Sequence, residues 1–87
     1  MTNSEKYSIQ FIQLVGMLHA ASMQQMGKTK NPMTDKIEKN LDEASATIDI
    51  LDMIQNKTKG NLSSEEEKYL TLLLQELKLN FVDEKQK

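Results

Sequence analysis

The chain has no cysteine, no tryptophan and no arginine, and only one histidine and one proline among its 87 residues. Without cysteine no disulfide or thiolate site can staple the fold, and a single imidazole with no Glu-x-x-His pair beside it is a poor start to a metal site. No metal or other cofactor is expected. All 11 basic residues are lysine, so the planar fork that suits arginine to phosphates and guanine edges is missing; with a net charge of -2, nucleic acid is not an expected partner. The apolar stretch from Phe11 to Met23 is interrupted by Gln13, His19 and Ser22 and falls short of the ~20 residues that span a bilayer. The N-terminal MTNSEKYS lacks the basic region and apolar core of an export signal, so the expected location is the cytoplasm.

What is present is a strong stop-and-start signal, KTKGNLSSEEE, from Lys57 to Glu67. Lys57 and Lys59 suit the partial negative charge of a helix C-terminus, and Gly60 suits the left-handed residue that follows one. Ser63 with Glu66 spells a capping box, and Glu65, Glu66 and Glu67 place carboxylates on an electropositive first turn. The segment predicts an antiparallel helical hairpin.

The chain reads as one all-α domain, residues 1–87, of three helices: a first at about 4–26, a loop at 27–39, a second at about 40–59, a third at about 64–82, and a frayed tail at 83–87. In the first helix Tyr7, Phe11, Leu14, Leu18 and Ala21 line one stripe, and Ile12, Val15, His19, Met23 and Met26 a second beside it. That apolar surface is wider than one neighbour covers. Asn40 is the expected cap of the second helix, with Leu41, Ala44, Ile48 and Leu51 on its inner face. Leu70, Leu73, Leu74, Leu77 and Phe81 line the third. The thirteen-residue loop, with Asn31-Pro32 in it, is long enough for the first helix to pack on its own hairpin or on that of another subunit.

Phe11, Met17-Leu18-His19, Asn31-Pro32, Asn40-Leu41, Thr47-Ile48-Asp49, Leu51 and above all QNKTKGNL followed by Glu65-Glu66-Glu67 resemble a bacterial family of short helical proteins known only as a domain of unknown function. The resemblance runs from Phe11 to about Phe81, and departs at Lys78 and Phe81, where the family more often carries arginine and tyrosine. It implies a bacterial origin and an all-helical fold, and no activity.

No nucleophile–base pair or phosphate cradle appears, so no catalytic residue is assigned and the chain is not expected to be an enzyme. Asp49 and Asp52 share a helix face with nothing apolar around them in sequence, which reads as a solvated surface. A domain this small has a thin core, so a homodimer is expected, completing a helical bundle through Phe11, Leu14, Val15, Gly16, Leu18 and His19. The Gly16/Ala20 pair fits close helix contact within the chain or between copies. Gly60, Ser63 and Glu66 are the structural cap. The leading functional expectation is a non-enzymatic interaction or structural module with a further protein partner; the alternative is a regulatory protein holding a small apolar ligand in a cavity near His19 and the methionines.

Overall fold

In the computed structural model, which describes residues 1–87, five elements follow one another: helix α1 (Asn3–Gln25), strands β1 (Lys30–Asn31) and β2 (Lys36–Ile37), helix α2 (Leu41–Lys57) and helix α3 (Ser64–Lys85). Each helix starts where a side chain takes up free backbone N–H groups. Thr2 accepts from the Glu5 amide at 3.2 Å, and Asn40 from the Glu43 amide at 3.0 Å. Ser63 and Glu66 form the full capping box, the Ser63 amide donating to the Glu66 carboxylate at 2.7 Å. That bond, with one from Ser8, holds the Glu66 carboxyl below its ordinary value.

The helix ends differ. α1 closes in a Schellman arrangement, with Lys28 N–H bonded to the Met23 carbonyl at 2.9 Å and Gly27 N–H to that of Gln24 at 3.0 Å. Gly27 takes a φ of +84° there, with Lys39 Cβ 3.4 Å from where its own Cβ would stand. α2 ends at Lys57, two residues earlier than the capping signal suggests. Gly60 therefore sits inside a turn, closed by Asn61 N–H on the Thr58 carbonyl at 2.9 Å, and takes a φ of +82° with open space around it. Only the backbone conformation opposes a side chain here. Gly60→Ala is expected to lower stability by about 1 kcal/mol, read as a shifted urea midpoint.

α1 packs on its own hairpin, touching both α2 and α3. Gln25 near the end of α1 meets Thr47 and Glu43 early in α2, while His19 meets Glu76 and Lys28 meets Glu84 on α3. α1 and α3 thus run parallel, with α2 antiparallel to both. Val15, Met26, Ala44, Ile48, Leu51, Leu70, Leu74 and Leu77 are buried at the centre, and Phe11, Leu18, Met23, Leu73 and Phe81 pack round them. Eight buried apolar residues in 87 make a small core, and the stability available from it is correspondingly limited.

Two expectations are corrected. The segment at 27–39, expected as a loop, contains a short antiparallel β-hairpin, Lys30 opposite Ile37 and Asn31 opposite Lys36, and α1 packs on its own helical hairpin. The Asn31 side chain accepts from the Met33 amide at 2.8 Å and donates to Glu38 at 2.7 Å, so Asn31-Pro32 closes a tight turn. The tail does not fray at 83: α3 continues to Lys85, because Glu84 is buried under lysines from three parts of the chain.

Candidate functional site

Of the residues expected at an interface between copies, Val15 is not available: it is fully buried in the chain's own core. The face α1 docks inward centres on Val15, Ser22 and Met26, rotated by roughly 80° from the stripe of Tyr7, Phe11, Leu14, Leu18 and Ala21. Val15 and Met26 belong to the second apolar stripe read from the sequence, and buried Ser22 falls outside both stripes. Phe11 and Leu18 are half-buried against the core. Gly16 is accounted for within the chain, since a Cβ there would lie 3.4 Å from the Tyr69 hydroxyl of α3. His19 is half-buried with Nε2 3.5 Å from a Glu76 carboxylate oxygen, an α1–α3 contact and not an outward one. Of the six, only Leu14 is exposed.

Exposed apolar side chains occur on all three helices, Ile9 and Ile12 on α1 and Leu72, Leu79 and Val82 on α3 among them. Tyr7, Leu14 and Met17 on α1 and Ile50 and Met53 on α2 are 45% to 69% exposed. The bond from Thr47 Oγ1 to Gln25, 2.8 Å, and that from Gln25 to Glu43, 3.1 Å, set the register of the two antiparallel helices, so that Met17 stands level with Met53 and Ala21 with Ile50. Leu14, Met17, Ile50 and Met53 occupy the flanks of α1 and α2 that turn away from α3 and make one face with Ala20 and Ala46, while Tyr7 lies on α1 beyond the end of α2. Between Gln10 and Gln24 this flank of α1 carries no charge, and between Ala46 and Met53 on α2 the one charge that borders the face is exposed Asp49, at the edge toward α3. Its ends are charged oppositely. Lys6 and Lys57 lie at one end, Asp42 and Glu43 at the other, and none of the four is in an ion pair. Neither Ile50 nor Met53 is among the residues expected at an interface from the sequence. Their phase on the helix, beyond Thr47 and Ile54, was the signal.

A second cluster joins the ends of all three helices. The Glu84 carboxylate accepts from Lys28, from Lys39 at 3.0 Å and from Lys87 at 2.9 Å, while Lys39 also donates to the Glu84 carbonyl at 3.2 Å and Lys28 to Asp83 at 3.1 Å. Hydrogen bonds from Lys28, Lys87 and Lys39 pull the Glu84 carboxyl down to about 2, and the same contacts lower Asp83 and raise Lys28. Every one of these groups is satisfied by the others, so the cluster is a clamp and offers no vacancy to a ligand.

The surface grooves are polar or shallow. One of about 420 Å³ lies at the α2–α3 turn, where Leu62 is the single apolar residue among Asp52, Gln55, Asn56, Thr58 and their neighbours. Another, between α2 and α3, has Ile48, Phe81 and Val82 in it under Asp49 and Asp52. None of the four grooves is lined by His19 or by a methionine. Asp52 is held by Lys78 at 2.9 Å, and no three potential metal ligands come together. No helix is long and apolar enough to cross a membrane.

Comparison with known families gives one match: the family model described as a domain of unknown function, DUF1844, over residues 8–84. No curated protein matches the chain, and no solved structure does.

Proposed function

The chain belongs to this family, and we propose that it is a small, non-enzymatic interaction module of the bacterial cytoplasm, self-associating as a homodimer and offering its apolar helix surface to a protein partner. The observation that carries this reading is the exposed apolar face of Leu14, Met17, Ile50 and Met53, bordered by Asp49, which the chain's own packing leaves open. Monomeric proteins rarely expose a contiguous apolar patch of more than a few hundred Å² without a use for it. Two helices about 10 Å apart with about 25 Å of shared length present on the order of 500 Å² in projection, and more with side-chain relief, which approaches the ~800 Å² per partner of a standard interface. The small core points the same way, since a partner surface adds burial that the monomer lacks.

The flexible thioethers of Met17 and Met53 suit a surface that accepts more than one shape. A small apolar ligand beside His19 is the weaker reading, because the grooves do not reach that residue. Light scattering coupled to size exclusion tests the proposal. A mass near twice 10.0 kDa is expected, retained in high salt because apolar burial is not screened as charge pairs are. A 10.0 kDa species at every concentration refutes self-association.

A further inference from the structure

Resting on that self-association, we infer that two copies meet through the α1/α2 face in one particular orientation, α2 lying antiparallel on the partner's α2, with the two-fold axis in the plane of the face and running across the helices. The argument is the distribution of charge along the face. Lys57 and Glu43 on α2 lie seven residues either side of Ile50, or about 10 Å along the axis. Both are exposed and neither is in an ion pair. A two-fold axis across the helices at the level of Ile50 carries Glu43 of one copy to the level of Lys57 of the other, twice over by symmetry. An axis along the helices, the other way to lay the same faces together, sets Lys57 and Lys6 of both copies at one end and Asp42 and Glu43 of both at the other. Like charges then meet at each end, and that arrangement is disfavoured.

Packing agrees with the first arrangement. Met17, Ile50 and Met53 are the bulky residues at the centre of the face, and Ala20, Ala21 and Ala46 beside them leave room for a facing helix to approach. The resulting four-helix layer has a dry centre and a charged rim, the usual anatomy of a specific interface. Gln10 and Gln13 extend it on α1 with uncharged polar groups.

The test is a charge exchange followed by sedimentation at low ionic strength. Ile50→Arg, at an exposed position, is expected to abolish the dimer while the far-ultraviolet circular dichroism stays helical; Met17→Arg is the second probe should the first fail to fold. Lys57→Glu and Glu43→Lys alone should each raise the dimer dissociation constant about tenfold, and the double exchange should return it to near the wild-type value. Lys68→Glu, a lysine on α3 away from the face, should change nothing. A wild-type chain that is monomeric throughout overturns the self-association itself. A dimer indifferent to Ile50→Arg and Met17→Arg overturns the face while leaving self-association standing. A dimer lost with Ile50→Arg whose charge variants show no mutual rescue overturns the antiparallel orientation alone.

Discussion

Replacing Leu51 with alanine is expected to cost about 3 kcal/mol of folding stability. Leu51 is fully buried on the inner face of α2 and belongs to the cluster formed with Val15, Leu70 and Leu77. Truncation removes its transfer energy and leaves a cavity that two other helices must collapse to fill. A domain of this size has on the order of 5–10 kcal/mol in total, so the loss is roughly 30–60% of it. Urea unfolding followed by circular dichroism should show a midpoint moved sharply down with an unchanged slope, and a melting temperature lower by roughly 15 °C. Leu79→Ala is the matched comparison: Leu79 is 73% exposed on α3 and its loss should stay within about 0.5 kcal/mol. Equal effects from the two would mean that the packing around Leu51 is wrong. Protein concentration has to be held constant between samples, because a dimer stabilises by mass action.

The second large effect is expected at Glu84. Glu84→Gln keeps the shape and removes the charge that gathers Lys28, Lys39 and Lys87, leaving three ammonium groups crowded round a neutral amide. The melting temperature near neutral pH should fall by several degrees, and more than for Asp83→Asn, since Asp83 is exposed and Glu84 is buried. The pH dependence separates the charge from the packing. The carboxyl is held at about 2 in the folded chain against an ordinary 4.5. Its contribution is therefore complete above about pH 4.5, shrinks as pH falls, and is gone below about 2. The wild-type and Glu84→Gln melting temperatures should converge over that interval. A difference that persisted unchanged at pH 2 would assign the effect to shape and not to the lysine clamp.

The local signals in this chain are legible because each depends on neighbours in sequence. The Ser63–Glu66 capping box, the Asn40 cap and the reversal at Gly60 need only three or four residues to be satisfied, and all are in the structure. The inner faces of α2 and α3 read correctly at Ala44, Ile48, Leu51, Leu70, Leu74 and Leu77 because apolar residues there recur at helical spacing with polar ones between. α1 is the exception. Its apolar residues surround more than half of the helix, so periodicity alone does not distinguish the side that packs inward from the side left open. The stripe with the best spacing, through Tyr7 and Leu14, is the partly exposed one, and a serine lies at the centre of the buried one.

What the sequence determined by itself is the all-helical class, the number of helices and the α2–α3 reversal, since caps, turn residues and periodicity are local and are satisfied before any helix meets another. Tertiary structure alone decided the rest. Three helices meeting with α3 on one side set the rotation of α1, which buries Val15 and leaves Leu14 and Met17 beside Ile50 and Met53. The clamp on Glu84 draws Lys28, Lys39 and Lys87 together across 45 to 56 positions of chain for the first two and three for the last, a convergence that no local pattern encodes. Burial and long-range charge pairing depend on how whole elements dock, and the proposed interface inherits that dependence: its residues share a face only because α1 and α2 lie side by side in one register.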